Sequence, residues 1–486
     1  MKSPLIMAFH LAAALALSAA FVPQPQPVAR QADEPGGTIS YGNEYIRWEH
    51  EARTGRLVGA YVLNDSPENL LAAPLGFQVA VENGDGETEL YENCGEPSSL
   101  DFGENEVAMT YKLCRNGHPD ATLPLTVTHT IRYGEWGEAT HHVHVEPAGR
   151  IARLLRLSPV VLTTTDKFDT CGAREMRVCG TDKWALSGVA DWTSLRNESA
   201  EPYRCARVPL YLLLFKRGGA GIEFCLGSDL AQWEALGPRQ NGILRRDEQR
   251  HAFEFTVSPF DSVAPRDLDS ALDFDFRLTL PFVRPKMAPL RAAVSLLYFN
   301  RGAEHRWPTD EDLQELQAGG VSLMRLHNDC DFLHDGIFWR DAVYPPYPEA
   351  EMAKMDDCIA RAAKFGLRVV PYFSMKEMHP EARWFAEHGL EWAKLNDPNG
   401  SVWVTGWTGG LVFGGVMCLK SGWLEVRKAT IAEALKNHGF KGIYFDWCAA
   451  IECASTRHCD RHHWDIDEQI ELLRWANALK GPDGEQ

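Results

Sequence analysis

The chain has 486 residues, enough for two or three domains and a full hydrophobic core. Its 45% hydrophobic and 24% charged residues are those of an ordinary globular protein, and a formal charge of -18 argues against a nucleic-acid or anionic-membrane surface. Fifteen Trp favour a carbohydrate ligand, because an indole stacks on the apolar face of a sugar ring.

Residues 1–20 read as a secretory signal peptide. Lys2 supplies the positive start, Leu5 to Phe21 the apolar run, and Ser18-Ala19-Ala20 the small residues at a cleavage site. The expected destination is the periplasm or the medium, with no stable membrane insertion after cleavage. Residues 21–37, rich in Pro, Gln and small side chains, read as a disordered linker.

From residue 38 to 285 the pattern is short alternating segments such as Leu57–Val62, Phe77–Val81 and Leu125–Ile131. Turn signals such as Asn83-Gly84-Asp85-Gly86 separate them, and helical periodicity is absent. This predicts a large antiparallel β-sandwich.

The period changes after Pro285. Ala292–Phe299 reads as a buried strand, and Thr309 caps a helix whose first turn carries Asp310, Glu311 and Asp312. Gly319-Gly320 ends it. Val321–Leu326 is the next strand, followed by a helix over 349–364 with Met352, Met355, Ile359 and Ala363 on one face. Gly366 ends that helix, and Leu367–Phe373 is the third strand. After a long excursion from Met375 to Lys420, Ser421 opens a helix to about Asn437, and the run from Lys441 forms a fourth strand that ends on Asp446, with Trp447 next. A last helix places Ile466, Ile470, Leu473 and Ala476 at helical spacing. Strand–helix alternation of this kind means parallel strands with helical crossovers. A closed eight-stranded TIM barrel takes roughly 250 residues. Residues 290–486 hold about the first four βα units of one, so a C-terminal truncation is expected.

Candidate chemistry sits at the strand exits, where a barrel builds its active site. Asp446 ends the fourth strand beside Trp447, and a carboxylate among aromatics there suits attack at an anomeric carbon. His327, Asn328 and Asp329 follow the second strand. Tyr372 ends the third, with Ser374, Lys376 and Glu377 beyond it. His327, Asn328, Asp329 and Tyr372 are expected to bind sugar hydroxyls, with Glu377 also in the substrate-binding set and Trp407 and Trp447 as stacking platforms. The Gly-rich, aromatic stretch 400–415 suits a sugar-binding lid.

Of the twelve Cys, the pairs near in sequence are Cys171 with Cys179 and Cys453 with Cys459, either of which could bond in an exported protein. The run Cys453 to His463 holds two Cys and three His but lacks the paired spacing of a structural zinc site. A disulfide-closed loop with His residues lining the cleft is the expectation there, with no metal and no cofactor. Asn197-Glu198-Ser199 matches a glycosylation sequon.

Taken in order, the β-sandwich, then VVPYFS, MCLKSGWLEVRK and GIYFDW, resemble retaining glycoside hydrolases of the α-galactosidase type, related to families 27, 31, 36, 97 and 101. The resemblance points to a bacterial branch of these barrel hydrolases. It implies a galactose-mutarotase-like sandwich, Asp446 as nucleophile and an acid/base carboxylate from a later strand. Asp329, Glu377 and Glu452 are the in-chain alternatives for that second role. The family-36 pattern has a Lys two residues before the Asp, where this chain has Tyr444, so the substrate does not transfer. The expected partner is an oligo- or polysaccharide. Two other classes stay open: a non-catalytic exported carbohydrate-binding protein, and a metal-dependent hydrolase or lyase using the 453–463 run.

Overall fold

The computed structural model describes residues 28–31, 37–65, 68–134, 137–176, 190–191, 203–205, 208–216, 219–228, 242–281, 296–299, 306–326, 349–378, 384–395, 404–407, 412–446, 448, 451–459 and 463–480. The signal segment, the sequon and Cys179 lie outside them. Two compact units divide the chain, Gln24–Val283 and a second containing Arg284–Gln486.

Every described strand pairing in the first unit is antiparallel. Four strands between Ala29 and Val62 form one sheet, and sixteen form a second. Leu57–Val62 is a strand as expected, and Leu125–Ile131 is the C-terminal part of the longer strand His118–Tyr133. Inward positions alternate with outward ones, which is the period-2 signal of a half-buried sheet. The Asn83 turn closes as its sequence implies. The side-chain oxygen of Asn83 accepts the backbone N–H groups of Asp85 and Glu87 at 3.0 and 2.9 Å, and Gly86 takes φ +82°. In the sheet order, seven strands separate Gly221–Leu226 from Ala252–Val257. Nevertheless the rings of Phe224 and Phe255 meet at 5.4 Å, so the large sheet folds over on itself into two layers.

The linker expectation needs correcting at its end. Ala29–Arg30 pairs antiparallel with Tyr41–Gly42, because Val28 is buried and the Arg30 side chain donates to the carbonyl of Phe102 at 3.1 Å. A composition rule cannot see a strand this short.

In the second unit the described elements are β1 (Leu296–Phe299), α1 (Asp310–Ala318), β2 (Leu323–Leu326), α2 (Glu349–Lys364), β3 (Arg368–Ser374), β4 (Glu377–Met378), α3 (Phe385–Trp392), β5 (Val404–Trp407), β6 (Val412–Val416), α4 (Trp423–Asn437), β7 (Tyr444–Asp446), β8 (Glu452–Cys453), β9 (His463–Trp464) and α5 (Ile466–Ala478). Strands β1, β2, β3 and β7 pair in that order, all parallel. The cap of α1 is the one its sequence announces. Thr309 and Asp312 form a reciprocal capping box, and Gly320 beyond the helix takes φ +84°.

Three helix and loop expectations shift. The buried face of α2 is Met355, Cys358, Ile359 and Ala362, while Ala363 is exposed; a free Cys packs as a small hydrophobe, so Cys358 joins the core face. On α5 Leu473 is exposed and Glu468, Gln469 and Leu472 are buried. The polar pair is accommodated by partners, His463 for Glu468 at 3.0 Å and Asp465 for Gln469 at 3.3 Å. The long excursion after β3 is not all loop, since β4, β6 and β5 form an antiparallel sheet that includes much of the stretch expected as a lid.

Candidate active site

Alternation along the parallel strands sorts their side chains onto two faces. Met324, Val369 and Phe373 share the apolar core with Met355, Cys358 and Ile359 of α2. Register puts Arg325 beside Val370, Tyr372 beside Tyr444, and Ser374 beside Asp446, which sets these residues on the opposite face.

Asp446 is the last residue of β7, as the sequence suggested, but it is half-buried where a buried strand was expected. Its Oδ2 accepts the hydroxyl of Tyr372 at 2.6 Å. Hydrogen bonds to an ionised acceptor are short and strong, so this contact fixes the orientation of the carboxylate. Its carbonyl accepts the N–H of Met375 at 2.9 Å, and the carbonyl of Met375 in turn accepts the indole N–H of the fully buried Trp423 at 2.9 Å. The first residue of α4 thereby holds the exits of β3 and β7 together. Arg427, one turn on, lays its guanidinium 4.3 Å from the Trp423 ring and 5.6 Å from that of Phe373.

The Tyr372 hydroxyl, expected from the sequence to meet substrate hydroxyls, is thus hydrogen-bonded to Asp446. Its ring stacks on Tyr444 at 5.8 Å. Arg325, which the sequence reading did not single out, places its guanidinium 4.0 Å from the Tyr444 ring centroid and 5.8 Å from that of Tyr372. The signal was present: a single cation inside the apolar strand LMRL is costly unless a buried site uses it.

The other candidates divide. Glu377 follows β3 by three residues and is buried, its N–H donating to the Ser374 hydroxyl at 3.2 Å. Glu452 is buried in β8, its backbone paired with Trp464. Lys376 turns inward to a buried ion pair with Asp465 at 2.6 Å, which removes it from the strand-exit set. The backbone of Trp407 closes β5. His327, Asn328, Asp329 and Trp447 lie outside the described residues, so the geometry unites only Tyr372 and Asp446 of the expected set.

The cysteine expectations also change. The described disulfide joins Cys94 to Cys114, across the ends of two neighbouring strands, and Cys171 is a free, buried thiol. Cys453 and Cys459 are not bonded to each other; both are free and converge with Cys418 and His458.

No protein-family model matches the chain, and no curated protein matches it. Among solved structures it overlaps the galactosidase domain of the alpha-galactosidase-sucrose kinase AgaSK, with 9% identity and a TM-score of 0.39, over 92% of this chain and 69% of that one. A GH36 alpha-galactosidase, AgaB from Geobacillus stearothermophilus, gives 13% identity and a TM-score of 0.40 over the same shares. An alpha-N-acetylgalactosaminidase from Bifidobacterium bifidum gives 10% identity and a TM-score of 0.35, over 90% of this chain and 74% of that one. Overlap this loose does not decide a fold, which rests here on the chain's own strands.

Proposed function

We propose that the chain is an exported glycoside hydrolase of the α-galactosidase-like kind, acting on O-glycosidic bonds of an oligo- or polysaccharide by retaining double displacement. Its second unit is then the first half of a β/α barrel and its first a mutarotase-like sandwich. The observation that carries the reading is the Asp446 carboxylate at the C-terminal end of the last strand of a parallel sheet, oriented by the hydroxyl of Tyr372. In this mechanism Asp446 attacks the anomeric carbon to form a glycosyl-enzyme. A second carboxylate about 5 Å away first protonates the leaving oxygen and then deprotonates the incoming water. Glu377 is the described in-chain candidate nearest in sequence to the strand exits, although its burial requires the site to open toward it.

The test is a panel of activated α- and β-glycosides followed by a 2-fluoro glycosyl trap. The expected result is turnover of one glycoside, a covalent adduct on the peptide containing Asp446, and turnover falling to background in Asp446→Asn. Near wild-type hydrolysis by Asp446→Asn sinks the nucleophile assignment. Saccharide binding by calorimetry with no new reducing ends would instead make the chain a carbohydrate-binding protein.

A further inference from the structure

Beyond the strand-exit site, three sulfurs and an imidazole converge. The Sγ atoms of Cys418, Cys453 and Cys459 and a ring nitrogen of His458 all lie within 4.8 Å of one another. Cys418 Sγ is 4.0 Å from Cys459 Sγ, and Cys453 Sγ is 3.3 Å from His458 Nε2. A tetrahedral zinc ion with bonds of about 2.3 Å to sulfur and about 2.0 Å to nitrogen sets its ligand atoms about 3.5–3.8 Å apart. The two edges of 4.0 and 3.3 Å bracket that spacing, and none of the others exceeds 4.8 Å, so the four atoms need only draw together to hold an ion. From this geometry we infer that Cys418, Cys453, His458 and Cys459 form a closed structural zinc site.

The surroundings are those of a ligand shell. His458 Nδ1 lies 2.8 Å from the carbonyl of Glu391, an acceptor only, so Nδ1 carries the proton and the lone pair of Nε2 faces the sulfurs. The N–H of Ser455 points at Cys453 Sγ at 3.5 Å, a contact suited to thiolate. The C-terminal end of α3 braces the ligand segments: Trp392 accepts the N–H of Cys418 at 2.8 Å and Leu395 that of Ala454 at 3.1 Å. All three cysteines are buried, and four protein ligands leave no open position, which marks a structural role over a catalytic one.

Charge points the same way. Lys376, Lys394 and Asp465 form a fully buried group, with Asp465 3.0 Å from Lys394 and 2.6 Å from Lys376. Two ammonium groups and one carboxylate leave a net positive charge in the interior, which is costly alone. A dication on three thiolates carries one negative charge, and the two sets together are neutral. Soft thiolates in tetrahedral geometry with one imidazole select zinc over harder cations. The ligands bracket α4 and β7 in the sequence, so the ion ties β6 to the segment that follows Asp446. Short-range spacing rules overlook the site because Cys418 lies far upstream of the other three ligands.

The full chain, purified without chelators from zinc-supplemented medium, should hold one zinc per chain by elemental mass spectrometry. Its X-ray absorption should show a shell of three sulfurs and one nitrogen. Cys418→Ser should lose the metal, His458→Cys should keep it on four sulfurs, and His144→Gln should leave it unchanged as a control for the surface group His142, His144 and Asp273. If Cys418→Ser does not fold, the wild-type stoichiometry and sulfur count still decide. Wild-type protein without zinc after zinc addition, a disulfide among the three cysteines, or zinc lost only in His144→Gln would each overturn the assignment. None of these readouts depends on turnover.

Discussion

The ammonium of Lys376 lies 2.6 Å from Oδ1 of Asp465, and both side chains are wholly buried. One carboxylate thus serves two lysines, accepting also from Lys394, from the N–H of Leu419 at 3.1 Å and from Gln469. Burial brings the Lys376 ammonium down to about 8, with Asp465 opposing it. Burial works against Lys394 too, but Asp465 and the sulfurs of Cys418 and Cys453 outweigh it and hold that group above the ordinary lysine range. Lys394 is therefore the firmer cation of the two. Asp465→Ala strands both lysines and should lower unfolding stability by about 3–5 kcal/mol. Adding Lys376→Met should recover part of that loss, because it removes one uncompensated charge. Urea midpoints of the two variants check this, and equal midpoints would mean that the pair is not coupled.

Much of this arrangement was legible in the sequence, but only locally. The ends of α2 and the Thr309 cap follow from residues within a few positions of each other, where propensity and capping chemistry act. The faces of α2 and α5 did not follow, because tertiary partners such as His463 decide which polar residues can be buried. Tyr372 and Asp446 were each recognisable at a strand exit. Their hydrogen bond depends on the register of β3 against β7, and no spacing rule encodes that. Cys418 was hidden for the same reason.

Tyr372→Phe tests whether the hydroxyl positions Asp446. Losing a hydrogen bond to an ionised group costs roughly 1.5–3 kcal/mol, equivalent to about a 10- to 100-fold change in rate. On the best glycoside for the wild-type chain, kcat should fall by that factor with KM nearly unchanged. A change confined to KM would return Tyr372 to the substrate-binding role that its sequence position suggested.

The Cys94–Cys114 disulfide closes a loop with a sequence separation of 20. Loop-closure entropy for that length gives about 3 kcal/mol of stabilisation. The Cys94→Ala/Cys114→Ala double variant should lose about that much unfolding free energy, read from its urea transition, with its zinc content unchanged. Zinc loss in this variant would show that the two cysteine sets are not independent.

His50 is buried in the first unit, its Nδ1 2.7 Å from the carbonyl of Gly55 and its Nε2 hydrogen-bonded to the Tyr133 hydroxyl. The carbonyl can only accept, so Nδ1–H donates to it and the tyrosine donates to Nε2, which fixes a neutral ring. Burial lowers this imidazole from 6.5 to about 4, with the Gly55 hydrogen bond a smaller opposing effect. The folded value lies below the unfolded one, so the neutral ring's contribution is complete above pH 6.5 and is lost as pH falls through about 4. The gap corresponds to about 3 kcal/mol. His129, brought down to about 3 by burial, adds a loss of the same sign. Stability to urea, followed from neutral pH down to about pH 4, should fall more steeply for the wild type than for His50→Gln, whose amide does not titrate. Parallel curves would mean that His50 is not the group that charges as the first unit unfolds in acid.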